Sequence, residues 1–441
     1  MKILRASAPA LLIAVHLQCL SVQAATLEEA INQTLASNPQ AQASLNRYQA
    51  SNETVRVARG GYLPTLDFRT GIGHERVNSP VTRATEKEQE DFKPKENSLI
   101  LSQNLYDGLS TTSEYRKNKQ QSAGRKEQLR SKAESLALEV TDVYLKVLEN
   151  SKQLTLAKAN LTSHERIYNL IEQRSSQGVA NQSDLYQIEG RLARARANLI
   201  SARNQLEDSQ ILYLRLVNQS PDDLIMPSVD DQELPTELAE ALSVALHEHP
   251  AISASQYDLK ASEYGYDQTR SHFLPKVDLS LSQHWDRDIN GQKGKHDDTK
   301  AMLTMRYNLF NGGSDSARRQ EAAYRVEESR ANQQDTQRLI TETVRLAWSS
   351  LENLSAEQPH LKRHMDSSAQ TVRAYQKQFD LGKRSLLDLL DSENENFQAQ
   401  RAYTNTSHRV IYARYRVLNG MGHLLRSLNI KLPPSWQLAE S

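Results

Sequence analysis

Residues 109–176 predict a helix far longer than a globular domain uses, because their apolar positions keep one helical spacing without interruption. From Leu129 onward the core-type positions lie four and three residues apart, as in a coiled-coil seam. At roughly 1.5 Å per residue, a helix over this stretch would be about 100 Å long. A rod of this length cannot bury its apolar face on itself, so it needs partners along its whole length.

The second half of the chain repeats the first. Leu136 and Ile340 are 204 residues apart and belong to two rods of the same phase, whereas the segments before the rods repeat at 211 residues, as in Pro64 and Pro275. We therefore divide the chain into a signal segment (1–24), a first repeat (25–219), a Pro-rich, acidic linker (220–236), a second repeat (237–421) and a tail (422–441), in which we expect a surface segment. Each repeat is predicted to contain a first helix, a β-hairpin (about 64–107 and 275–310), a long helix (about 109–176 and 314–380) and a return helix (about 183–217 and 385–418). Pro359 lies inside the second rod and predicts a kink there.

The composition argues against large compact domains. Only 38% of the 441 residues are hydrophobic and 6% are aromatic, with a mean hydropathy of −0.67, which is typical of long, mostly solvated helices. The 54 basic and 54 acidic residues balance, and this removes the general electrostatic case for a nucleic-acid partner.

Residues 1–24 have the pattern of a secretory signal. Lys2 and Arg5 precede an apolar stretch, and Val22-Gln23-Ala24 is an acceptable cleavage site. An uncleaved anchor is the alternative, although the apolar run is shorter than the roughly 20 residues that span a bilayer. The only cysteine, Cys19, falls inside this segment, so we expect a mature chain without disulfides or cysteine metal sites.

The hairpins have one apolar and one polar face. Leu66, Phe68 and Ile72 alternate with polar residues or glycine, and Val277 and Leu279 do the same in the second repeat. The connectors at 79–96 and 289–298 are charged and predicted to lie in water. Such strands fit either hairpins packed on the helices or a transmembrane β-barrel. Four strands are too few to close even an eight-stranded barrel, so a barrel would need several copies of the chain.

Two pairs of motifs carry a family resemblance. The strand ends Leu105-Tyr106-Asp107-Gly108 and Leu309-Phe310-Asn311-Gly312 are equivalent, and glycine-containing turns follow both rods at 177–185 and 381–391. With the signal segment and the repeats, they resemble the TolC family of outer-membrane export channels of Gram-negative bacteria over about residues 27–421. The resemblance implies a mainly α fold with β: a homotrimer with a 12-stranded barrel in outer-membrane lipid and a coiled-coil barrel of long helices across the periplasm.

The resemblance also implies a gate at the periplasmic end. Asp388 and Asp391 match the family's lumen-facing aspartates, and Arg384 matches the arginine that ties neighbouring helices shut. The polar pair that receives this arginine corresponds to Ser183 and Asp184, and Phe379 stands where some members have a tyrosine. Arg384 paired with Asp184 would hold the helices inward against repulsion among the carboxylates. The alternative is that Ser385 is simply the N-cap residue of a helix and Asp388 an acidic residue in its first turn.

The same turns are where a periplasmic adaptor protein would dock in this family, at Gly178, Val179, Gly382 and Lys383. Glycines that merely form turns are the alternative, and no sequence feature separates the two roles. The resemblance further implies an ABC-type or proton-driven transporter in the inner membrane as a partner, and no cofactor.

No motif indicates catalysis, and His247 and His249 are expected to be ordinary surface histidines rather than a metal site. Residues 386–395 and 397–403 look most like the protein-secretion branch, which predicts the outer-membrane duct of a type I secretion system. A multidrug or metal efflux duct is the alternative, since the fold does not determine the cargo. A periplasmic coiled-coil scaffold without a pore is a third hypothesis.

Overall fold

The computed structural model describes residues 26–84, 90–178, 181–229, 233–433 and Trp436. The predicted signal segment and Val179 lie outside the described residues. The helices are α1 (Leu27–Ser37), α2 (Pro39–Gly60), α3 (Pro80–Ala84), α4 (Ser110–Ser176), α5 (Gln182–Val217), α6 (Leu238–Glu248), α7 (Pro250–Gln268), α8 (Ser314–Asp380), α9 (Leu386–Met421) and α10 (Leu424–Ser427), and the strands are β1 (Thr65–Ile72), β2 (Glu75–Val77), β3 (Glu90–Phe92), β4 (Lys95–Tyr106), β5 (Lys276–Arg287) and β6 (Lys295–Arg306). In these ranges no helix is both long enough and apolar enough to cross a bilayer.

The two repeats match helix for helix. α4 and α8 have 67 residues each, and α5 and α9 have 36 each. Asn38 and His249 occupy the same place before Pro39 and Pro250, and each accepts a backbone N–H as the N-cap of α2 or α7. α8 runs through Pro359 as one helix. The fold is therefore mainly α with one principal sheet, as the sequence predicts.

The long strands form an antiparallel sheet in the order β1-β4-β5-β6. Leu101 lies opposite Leu66 and Leu281, whereas the other face has polar rows such as Ser98 beside Arg69 and His284. In a single chain β1 and β6 each present one open edge. The sheet is therefore two-faced and unclosed.

The connectors between the long strands contain structure that the sequence analysis did not predict. β2, just before the first connector, pairs with β3 inside it. In the second, β6 begins at Lys295, which lies opposite Arg287, three residues before the predicted connector ends at Asp298. Residues 295–298 are polar on both faces, so alternation could not mark them. Backbone pairing with β5 forms the strand here.

The largest apolar core lies where α1, α2, α4, α5 and α9 meet, a region here called the waist. The tail is part of it, because Leu424, Leu425 and Trp436 are buried there. The prediction of a surface tail was therefore wrong, since the apolar residues of the tail have no helical or strand period that could indicate burial. The linker also packs on this core: the Tyr144 hydroxyl donates to the Ile225 carbonyl at 2.6 Å.

Two buried titratable groups lie near this waist. Glu134 accepts hydrogen bonds from the backbone N–H groups of Leu424 and Leu425, which anchors the tail to the first repeat, and burial raises its pKa to about 7. His249 is buried rather than a surface histidine, because its ring packs at the start of α7 while Nδ1 accepts from Ala251 N at 3.1 Å. Burial, with His423 nearby, lowers its pKa to about 4. Over the described ranges, no cluster of three or more His, Cys, Asp or Glu side chains could hold a metal ion.

Candidate functional site

The candidate site is the end of the molecule at which both helical hairpins turn, here called the tip (residues 163–193 and 375–395). Gly178 and Gly382 have φ of +73° and +70°, and their N–H groups close the turns on the Ser175 and Phe379 carbonyls. Among the described residues, and apart from the chain neighbours of each glycine, no atom lies within 4 Å of the position that a Cβ on either glycine would take. Glycine is therefore needed here for the left-handed backbone and not for close packing.

An apolar cluster joins the two hairpins at the tip. All four helices contribute to it: Ile167 and Ile171 from α4, Ile188 from α5, Phe379 from α8, and Leu386, Leu389 and Leu390 from α9. Phe379 is only 6% exposed, and the Arg174 guanidinium lies 5.2 Å from its ring centroid. At this position the ring contributes packing and a cation–π contact.

Over the part of the chain that the structure describes, the contacts of Arg384 lie within its own helical hairpin. Its Nε donates to Gln378 Oε1 at 3.0 Å, its guanidinium lies 4.1 Å from the Tyr375 ring centroid, and Nη1 is 3.7 Å from Asp388 Oδ2. No contact in the described part of one chain joins Arg384 to Asp184. α4 contacts both α5 and α9.

Asp388 is part of a helix cap in the single chain. Ser385 Oγ accepts from Asp388 N at 3.1 Å and donates to Asp388 Oδ2 at 2.7 Å. The capping alternative is therefore realised in the chain. It leaves the Asp388 carboxylate partly exposed, with its side chain at 44%.

Asp391 forms an ion pair that the sequence did not predict. Its Oδ1 lies 2.6 Å from Arg191 Nη2 on α5, and the two side chains are 58% and 25% exposed. The pair connects α9 with α5, and so links the second repeat to the first. Arg191 follows Asp184 by seven residues, two turns along the same face of α5, and this spacing is the only sequence signal that could have found it. Ser183 is exposed, and Asp184 lies in the first turn of α5.

A family model described as outer membrane efflux protein matches residues 30–216 and 241–423, which is most of both repeats. The chain belongs to this family. The resemblance noted in the sequence is thereby confirmed, and the chain is an outer-membrane channel with a periplasmic tunnel rather than an enzyme.

Relatives of similar length fit this assignment. The chain is 24% identical over 399 residues to the alkaline protease secretion protein AprF of Pseudomonas aeruginosa, covering 88% of this chain and 82% of that protein. It is 23% identical over 405 residues to the outer membrane efflux protein BepC of Brucella suis, covering 91% and 87%. The fold is similar to that of a membrane protein from Pseudomonas aeruginosa, with a TM-score of 0.81 at 20% identity over 94% and 92% of the two chains.

Proposed function

We propose that three copies of this outer membrane efflux protein form one duct. The observation that supports this best is the four-stranded sheet, which has an apolar face and an open edge at both β1 and β6. Lipid does not tolerate open sheet edges, and barrels need at least about eight strands. Pairing β6 of one copy with β1 of the next closes a barrel of about 12 strands, with the polar faces lining the lumen.

The duct is a passive conduit whose periplasmic end is gated. Asp388 and Asp391 from three copies place six carboxylates around the pore, where they repel one another. Arg191 supplies a counter-charge to Asp391 within each chain. Because Arg384 stays in its own hairpin in one chain, its tie to Asp184, assisted by Ser183, has to run between neighbouring copies.

Energy comes from an inner-membrane transporter of ABC or proton-driven type through a periplasmic adaptor. The adaptor docks at the tip turns, at Gly178, Val179, Gly382 and Lys383. No side chain of the described residues outside these turns crowds the Cβ positions of Gly178 and Gly382, which leaves room for a partner's helices.

The cargo that we propose is protein, exported by a type I secretion system. The relative AprF is named for protease secretion, and the start of α9 is most like the secretion branch. The alternative is a tripartite multidrug or metal efflux duct, which the name of BepC supports at a similar identity.

A strain that lacks this chain distinguishes the two cargoes. Its secreted and surface proteins are measured by mass spectrometry, and its growth is measured in dyes, detergents and antibiotics. We expect one or a few large exported proteins to disappear while drug tolerance stays unchanged, and complementation to restore them. Normal export with new drug sensitivity would overturn the secretion proposal and establish efflux.

A further inference from the structure

α4 and α8 are equivalent helices with unequal burial. One stripe of α8 is exposed although its counterparts 204 residues earlier in α4 are buried. The exposed residues are Arg338, Arg345, Ser349, Asn353, Glu357 and His364, and their buried counterparts are Glu134, Thr141, Leu145, Glu149, Gln153 and Asn160. Their spacing of seven and four residues places them on one helix face. This face of α8 therefore lacks the cover that α4 has.

The cover on α4 is α9 from the other repeat. Asn405 Nδ2 donates to Glu149 Oε1 at 2.8 Å, and Arg401 Nε donates to Gln153 Oε1 at 3.2 Å. Within the tip, Ser163 Oγ donates to Glu393 Oε1 at 2.7 Å, and Glu393 is buried. A row of polar contacts from α9 thus covers this face of the first rod.

The repeat counterpart of α9 is α5, and its corresponding face is exposed. Ile200 and Ile211 are 69% and 58% exposed, whereas their counterparts Thr404 and Tyr415 are buried. Glu189, the counterpart of Glu393, is exposed as well. One chain therefore leaves one face of α8 and one face of α5 uncovered. The counterpart faces, on α4 and α9, are packed against each other within the chain.

We propose that α5 of a second copy covers α8 as α9 covers α4 and that Ser367 and Glu189 of adjacent copies repeat the Ser163–Glu393 hydrogen bond. This rests on the three-copy duct proposed above. The residue types are identical at both pairs, and Ser367 and Glu189 are exposed in the single chain. The duct then has a ring of alternating intrachain and interchain Ser–Glu bonds just above the gate.

A second pair supports the same arrangement on the other side of the waist. Asp258 Oδ1 of α7 lies 3.1 Å from the position that a Cβ on Gly124 of α4 would take. The repeat counterpart of Asp258 is Arg47 on α2, and the repeat counterpart of Gly124 is Glu328 on α8. Both are exposed and without an ion pair in the described ranges. They carry opposite charges, so the contact between copies is electrostatically complementary where the contact within the chain is not charge-paired.

Cysteine cross-linking in membranes tests the contact directly, because the only native cysteine is Cys19. The variant carrying Glu189→Cys and Ser367→Cys is treated with a short bis-maleimide and run under denaturing conditions. We expect covalent species of two and three chains. Ser163→Cys with Glu393→Cys is the intrachain control and should react without joining chains. Glu189→Cys with Glu352→Cys is the distance control, since Glu352 lies roughly 22 Å farther along α8.

The proposal predicts at least about tenfold more joined chains for the 189/367 pair than for the 189/352 pair. Arg47→Cys with Glu328→Cys is an independent second pair with the same expectation. Equal yields of joined chains for the 189/367 and 189/352 pairs would overturn the proposal, and so would unjoined chains in an intact trimer. Either result would leave the proposed three-copy duct unaffected. A monomeric chain in native membranes would overturn the duct as well.

Discussion

Replacing Gly422 with alanine is expected to lower the free energy of unfolding by about 2–5 kcal/mol. Gly422 ends α9 with φ of +77°, and a Cβ there would lie 2.7 Å from Pro250 Cδ and 3.1 Å from His249 Cα. The left-handed backbone alone costs a non-glycine residue about 1–2 kcal/mol. The remainder is overpacking, because the atoms that would have to move are a proline ring and backbone at the start of α7.

The matched control is Gly382→Ala. Gly382 has φ of +70°, but apart from its chain neighbours no atom of the described residues lies within 4 Å of the Cβ position, so only the backbone cost of about 1–2 kcal/mol applies. Asn218, the repeat counterpart of Gly422, adopts φ of +61°, which shows that a side chain can adopt this conformation where space allows. Denaturant unfolding of the purified variants in detergent measures both losses. Equal losses would contradict the account of close packing at Gly422.

Arg191→Gln is expected to raise the conductance of the purified channel by about two- to tenfold. Arg191 is the counter-charge to Asp391 at 2.6 Å, so its loss leaves the carboxylates of three copies to repel across a narrow pore, where the effective dielectric is low. The effect on folding should be small, because an ion pair this exposed contributes about 0–1 kcal/mol. Single-channel recording in a planar bilayer measures the change.

Arg194→Gln removes the same charge from the next turn of α5 and is the control. Arg194 is exposed and makes no ion pair in the described part of the chain, so its conductance should stay close to that of the wild type. If both variants conducted equally, net charge rather than the pair with Asp391 would set the conductance. Unchanged conductance in Arg191→Gln would contradict the proposed role of Asp391 in the gate.

The rods and the sheet could be predicted because their signals are periodic and repeated. A core-type position such as Leu136 recurs as Ile340, and both are buried in the structure. The burial of Leu424 and Trp436 could not be predicted, because these side chains fill a space that α4 and α9 create, and no local period records it. The start of β6 was hidden for a similar reason, since backbone pairing with β5, not alternation, forms its first residues.

At the tip, the sequence predicted conformations better than partners. Glycine in the two turns marks the left-handed backbone found at Gly178 and Gly382, because few other residues adopt it without cost. The partner of Asp391 depends on how α5 and α9 are placed around α4, which local sequence does not record. The tie between Arg384 and Asp184 involves a neighbouring copy in our proposal, so it remains a prediction.

The most direct test of the three-copy duct is the mass of the chain extracted from outer membranes in mild detergent, measured before and after heating. We predict a species of three chains before heating that separates into single chains afterwards and forms ion channels in a planar bilayer. A single-chain or two-chain species in the unheated extract, or a three-chain species that does not conduct, would contradict the duct.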